Sequence, residues 1–88
     1  MNVETTKAFL KQLKKLNNAV VNEEVKMFIE NVIKSNSLAE VKNLKKLSGY
    51  TNYYRIRIGD YRIGICYDDN TLWLAAIAHR KDIYKYFP

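Results

Sequence analysis

The chain has one cysteine, one proline and three glycines among its 88 residues, and each shortage excludes something. A lone cysteine, Cys66, rules out an internal disulfide, and Cys66 with the single His79 is too small a ligand set for a structural zinc. Hydrophobic residues make up 48% of the chain, yet no apolar run approaches the ~18 residues that a membrane span requires. Scarce glycine and proline leave little room for a linker, and there is no internal repeat or low-complexity tract. Met1–Leu13 interleaves Glu4, Lys7 and Lys11 with isolated apolar residues, which is not the layout of a signal peptide. The expectation is one cytoplasmic domain over residues 1–88, without membrane association, metal or cofactor. So short a chain buries only about 60–65% of its unfolded surface, so it is marginally stable unless a partner adds burial.

Acidic residues are also in deficit. Nine Asp and Glu stand against fifteen Lys and Arg, a net charge of +6, and a small basic domain is biased towards polyanions such as nucleic acid. The distribution is more informative than the sum. Residues 1–44 carry only lysines, strongly hydrated point charges that suit a solvated helix face. All four arginines, Arg55, Arg57, Arg62 and Arg80, lie in the second half. A guanidinium is a planar fork matched to phosphate. The lysines are therefore read as solubilising charge and the arginines as a site.

Periodicity divides the chain in two. Phe9, Leu10, Leu13 and Leu16 keep helical spacing from about Thr5 to Leu16, with Thr5 or Thr6 as the cap and Asn17-Asn18 as the stop. A second amphipathic segment is expected from Glu23 to about Ser35, capped by Asn22, with Val25, Phe28, Ile29, Val32 and Ile33 as its stripe. The two stripes predict an antiparallel helical hairpin, and neither is long enough for a leucine zipper. Met1–Glu4 is a candidate short strand. Leu38, Val41, Leu44 and Leu47 keep apolar contact through a connecting stretch with room for a short helical turn. After Gly49 the period falls from 3.6 to 2. Tyr53–Ile58, Tyr61–Asp68 and Thr71–His79 read as three strands, joined by tight turns at Gly59-Asp60 and Asp69-Asn70. The tail, Lys81–Pro88, is expected to form a short helix or an extended aromatic arm.

A two-residue turn at Gly59-Asp60 sets Ile58 opposite Tyr61, Arg57 opposite Arg62, Ile56 opposite Ile63 and Arg55 opposite Gly64. Strand alternation then sends Tyr54, Ile56, Ile58, Tyr61, Ile63 and Ile65 to one surface and Arg55, Arg57 and Arg62 to the other. Carrying strict alternation through the second turn pairs Cys66 with Trp73, Gly64 with Ala75, Arg62 with Ile77 and Asp60 with His79. This places His79 on the arginine face and Arg80 on the opposite one. Directly opposed like charges cost a hairpin up to about 1 kcal/mol. Such a violation either marks a place where a ligand supplies the missing charge, here a phosphate held by two guanidinium forks, or leaves both side chains splayed into water at little cost. His79, beside the arginines in this register, is a candidate to accept or relay a proton. Tyr84 is either tail cover or a base-stacking ring, Trp73 is expected to close the sheet edge, and Cys66 reads as small filler.

The run Gly49-Tyr50-Thr51-Asn52-Tyr53-Tyr54-Arg55-Ile56-Arg57-Ile58-Gly59-Asp60-Tyr61-Arg62-Ile63, with His79-Arg80-Lys81-Asp82-Ile83-Tyr84, resembles the RelE/ParE superfamily of toxins from type II toxin–antitoxin systems. The resemblance covers nearly the whole chain. It implies an α+β, RelE-like fold: a short N-terminal strand and a two-helix hairpin on a curved antiparallel sheet with a three-stranded C-terminal meander. It also implies an endoribonuclease that cuts messenger RNA in the ribosomal A site through the ribose 2′-hydroxyl, without metal. A cognate antitoxin would silence it in a hetero-oligomer. By position, Arg55 and Arg57 match the two basic residues of the second strand, Arg62 the arginine after the turn, Arg80 the basic residue ending the last strand, and Tyr84 the stacking tyrosine. The expected catalytic set is thus Arg57, Arg62, His79, Arg80 and Tyr84, with Arg55, Arg57, Arg62 and Lys81 holding the RNA. The sequence departs from the RelE type in carrying arginines where lysines stand, and a guanidinium makes a poor base. The alternatives are a ParE-like inhibitor of DNA gyrase without chemistry, and a catalytically weak nucleic-acid-binding protein of the RelE fold. Arg80 joins the other arginines only if a bulge or the strand end turns it inward.

Overall fold

The computed structural model describes residues 1–88. In chain order the elements are β1 (Asn2–Thr5), α1 (Lys7–Leu16), α2 (Ala19–Lys34), a 3-10 turn at Leu38–Glu40, β2 (Lys45–Lys46), β3 (Tyr53–Ile58), β4 (Tyr61–Asp68), β5 (Thr71–His79) and α3 (Ile83–Tyr86). No helix is long and apolar enough to cross a membrane.

Capping side chains set the helix ends. Thr6, in extended conformation, accepts the amide of Phe9 at 3.1 Å through Oγ1 and starts α1. Asn17 ends it in the left-handed region that asparagine tolerates better than most residues. Asn18 then starts α2 by accepting the amides of Val20 and Val21 on one side-chain oxygen, at 3.0 and 3.1 Å. Two adjacent asparagines therefore close one helix and open the next. The second helix begins at Ala19 and not at Glu23 as expected, because Asn18 takes the orphan amides four residues earlier. Asn22 is an interior helical residue whose amide donates to the Asn18 carbonyl. Val21 accordingly joins Val25, Phe28 and Val32 on the buried stripe.

The strands form one sheet in the order β1-β5-β4-β3-β2. Every neighbouring pair is antiparallel except β1 with β5, which run parallel. The three strands of the meander fall on the expected residues. Asp69 and Asn70 both have positive φ, the requirement of a type I′ turn, and at the other hairpin only Gly59 does, as in a type II′ turn. The face bearing Ile56, Ile58, Ile63, Ile65, Leu72, Leu74 and Ile77 packs on Phe9 and the α2 stripe to make the main core. A smaller cluster of Leu47, Ala76, Ala78, Ile83 and Phe87 lies on the other face, where the tail folds back. There the Phe87 ring lies directly over Gly64, so close that a Cβ at residue 64 would collide with it. Trp73 does not close an edge: β5 is flanked by β4 and β1, and Trp73 sits between Cys66 and Glu4.

One irregularity governs the site. The β4–β5 register is strict from Asp68↔Thr71 to Ile65↔Leu74 and then slips, so that Gly64 faces Ala76 and Ala75 has no partner. This bulge is held by α1 and the residue before it. Thr6 Oγ1 donates to the Ala75 carbonyl at 2.9 Å, and Gln12 Oε1 accepts the Ile77 amide at 2.9 Å. Backbone groups that the slip takes out of the ladder thus find side-chain partners, as buried amides and carbonyls require.

Candidate functional site

The β3–β4 pairing is the expected one. Arg55 faces Gly64, Ile56 faces Ile63, Arg57 faces Arg62 and Ile58 faces Tyr61. Alternation therefore puts the three guanidinium groups on the surface away from α1 and α2. Arg55, Arg57 and Arg62 line one open cleft of about 450 Å³ together with Asn43 and Lys45. None of its five lining residues is hydrophobic or acidic.

The bulge changes which residues lie on the arginine side. Strict alternation pairs Arg62 with Ile77, but the slip pairs it with Ala78 and sets His79 opposite Tyr61. His79 therefore belongs to the Ile58/Tyr61/Ile63 side of the sheet and not to the arginine face. Its ring meets the edge of Tyr61 at a centroid distance of 5.8 Å. Its Nδ1 accepts the Lys81 amide at 3.2 Å, which leaves the proton of the neutral ring on Nε2. The residue after it moves the other way. Arg80 returns to the arginine side, its amide donates to the Asp60 carbonyl at 2.8 Å, and its charge acts on Arg62. One unpaired alanine thus exchanges His79 for Arg80.

The cations crowd one another. The Arg62 guanidinium has its proton affinity lowered, first by partial desolvation, then by the charges of Arg57, Arg55 and Arg80, with only Asp60 acting in the other direction. Arginine stays protonated at any working pH, so the lowering reflects lost hydration first and the neighbouring positive charges second. Arg62 Nη1 donates to the carbonyls of Gly59 and Tyr61 at 3.1 and 3.0 Å, which pins the side chain without neutralising it. The molecule's only ion pair is Lys85–Asp82 at 3.2 Å, in the tail. No arginine is locked to a carboxylate.

The remaining expected residues lie elsewhere. Lys81 is exposed in the turn after β5 and does not line the cleft. Tyr84, on α3, is 57% exposed and lines a separate slot formed with Leu47, Ser48, Tyr50, Phe87 and Pro88. Cys66 faces Tyr53 and Trp73, and burial pushes its thiol above the ordinary value, which makes it a weaker nucleophile than a free thiol. Sequence reasoning missed Asn43 and Lys45. Lys45 stands opposite Arg55 on a two-residue strand, too short to show any alternation. Asn43, with φ of 66°, lies in the irregular segment before it.

Comparison with known proteins gives consistent matches. Residues 3–84 match a family model described as the ParE toxin of the type II toxin–antitoxin system parDE. The chain is 45% identical over 89 residues to the protein named Toxin RelE3 from Methanocaldococcus jannaschii, with 100% of both chains covered. It superposes with a TM-score of 0.80 and 44% identity on a chain in the crystal structure of a RelB–RelE antitoxin–toxin complex from Methanococcus jannaschii, covering 96% of this chain and 98% of that one. The toxin–antitoxin complex RelBE2 from Mycobacterium tuberculosis shares the fold, with a TM-score of 0.69 at 23% identity over 92% of each chain.

Proposed function

Because the chain belongs to the RelE/ParE superfamily of type II toxin–antitoxin toxins, we propose that it is a ribosome-dependent endoribonuclease that cuts messenger RNA and so stops translation. The single observation that carries this reading is the uncompensated cluster of Arg55, Arg57, Arg62 and Arg80 on one face of the sheet. In the proposed reaction the ribose 2′-oxygen attacks the adjacent phosphorus and the 5′-oxygen leaves. The products are a 2′,3′-cyclic phosphate and a 5′-hydroxyl, with the 2′ proton lost to a base and another gained by the leaving oxygen. Negative charge grows on the phosphate as the fifth bond forms, and fixed guanidinium groups directed at it lower the barrier. Arg57 and Arg62 face each other across the hairpin and flank that phosphate. Arg55 and Lys45 hold the backbone alongside.

With His79 turned towards Tyr61, the cluster supplies charge rather than a base. That fits an enzyme acting only where the ribosome holds message in an in-line geometry, since positioning can supply much of the remaining barrier reduction. We infer that the partner which silences the toxin is a cognate antitoxin that covers exposed apolar helix surface such as Leu10, Val20, Met27 and Ile33. Its action would be cytoplasmic, where messages are translated.

Primer extension on messages after induction tests the reading. Cuts within codons that depend on translating ribosomes are expected for the wild type. Arg62→Ala and Arg57→Ala should lower cutting by roughly a hundredfold or more, the scale of losing a transition-state charge partner, with an unchanged circular dichroism spectrum. The ParE description of the matching family model favours a second reading, gyrase inhibition. A DNA-damage response without codon cuts would establish it in place of the nuclease.

A further inference from the structure

His79 lies off the arginine face, yet both its side chain and its backbone are engaged. It stands at the end of β5, where its Nδ1 accepts the Lys81 amide at 3.2 Å and its carbonyl accepts the Asp82 amide at 2.8 Å. One residue thus holds two successive amides of a turn, the arrangement that asparagine makes when its side chain bonds the backbone two residues on. Arg80 and Lys81 are the central residues of that turn. The ring is itself fixed from the side, nearly perpendicular to Tyr61 at a centroid distance of 5.8 Å, across the β4–β5 ladder from it.

Arg80 needs such a turn, and the other three arginines do not. Arg55, Arg57 and Arg62 lie inside β3 and β4, where strand pairing decides which side each occupies. Arg80 lies one residue beyond the end of β5, where no ladder directs it. Its amide is tied to the Asp60 carbonyl at 2.8 Å, and the backbone after it is tied to His79. Beyond the turn, buried Ile83 anchors α3. The Lys81 amide is therefore the one link in this path whose acceptor is a side chain. That bond is exposed, so water can replace it, and removing the ring loosens the turn without opening the core.

We propose that His79 is a positioning residue, whose imidazole closes an Asx-like turn that holds Arg80 on the arginine side of the sheet to meet the RNA phosphate. The inference rests on the RNA-acting reading above, but its test does not require cleavage. The atom involved makes the role specific. Nδ1 is bonded to Cγ, as the side-chain oxygen of asparagine is, so asparagine offers an acceptor in the same place. Glutamine carries its oxygen one bond further out, at the level of Nε2.

The test measures fluorescence anisotropy of the purified protein with a labelled single-stranded 2′-deoxy hexamer across a salt series. Each phosphate contact on a single strand adds about 0.7 to the slope of log affinity against log salt. Arg80→Ala should lower that slope by about 0.7, which is roughly a fivefold loss of affinity per decade of salt below 1 M. His79→Ala should reproduce most of this loss although His79 lies on the other side of the sheet. His79→Asn should bind as the wild type does, and His79→Gln should bind as the alanine variant does. His79→Ala combined with Arg80→Ala should bind no more weakly than Arg80→Ala alone, because both act through one guanidinium. Amide exchange at Lys81, followed by NMR, should be faster in His79→Ala than in His79→Asn, with protection across β4 unchanged in both. Full additivity of the two alanine variants overturns the proposal, as does an asparagine variant as weak as the alanine one, or a wild type that does not bind the strand. A weakened Arg80→Ala beside an unaffected His79→Ala overturns the positioning role and leaves the ribonuclease reading standing. A failure to find codon cuts would count against that reading and leave this result standing.

Discussion

Arg62 lies opposite Arg57, feels Arg55 and Arg80, and has Asp60 alone acting against them. Arg55, Arg57 and Arg62 were legible because side chains two apart on a strand share a face and a two-residue turn fixes the register. Lys45 and Asn43 were not, since a strand of two residues has no period and a lysine gives no sign of being more than solvated charge. Cys66 shows the same physics with the opposite outcome. Its thiol is pushed above its ordinary value near 9.0 by burial alone, because no cation stands close enough to favour the thiolate. Alkylation by iodoacetamide should therefore be slower than for the unfolded chain at pH 8, with its half-maximal rate at a pH above 9.0. The folded state holds that proton more tightly than the unfolded one, so this group's contribution to stability is intact below the unfolded value and declines as pH rises through the folded one. A labelling midpoint at or below the ordinary value would show that Cys66 is not desolvated as described.

Elements become visible in a sequence when their signals are local, and invisible when another element completes them. The three meander strands and the 3-10 turn followed from alternation, turn residues and apolar spacing. The start of α2 was displaced because Asn18 and Asn22 carry identical capping chemistry, and only the structure shows which one receives the amides. The bulge at Ala75 had no local signal. It exists because Thr6 and Gln12 bond the Ala75 carbonyl and Ile77 amide from more than sixty residues away, and counting by twos along β5 cannot anticipate that. Its consequence is large, since it decides whether His79 or Arg80 lies on the arginine side of the sheet. Gln12→Ala should leave the Ile77 amide without its acceptor and lower stability by about 1–3 kcal/mol, a fall in melting temperature of at least several degrees for a domain of this size. Gln12→Glu keeps an acceptor oxygen and should retain most of the stability. An alanine variant that melts within a degree of wild type would mean the bulge does not depend on this bond.

Across the whole molecule the two sheet faces divide the work. One packs on α1 and α2 and carries the main core, while the other is half covered by α3 and Phe87 and leaves its cations open. The expected α+β architecture, with its N-terminal strand, helix pair and meander, is present. Pairing of β1 beside β5, parallel and across nearly the full chain length, was not readable from the four residues of β1. In the proposed reaction the open face acts on one phosphate through the neighbouring ribose oxygen. The direct measurement places a single 2′-deoxynucleotide at the mapped cut position of a message on translating ribosomes. The cut at that position should disappear while wild-type message is still cut, leaving a 2′,3′-cyclic phosphate that mass spectrometry can identify. Undiminished cutting of the deoxy-substituted message would contradict it.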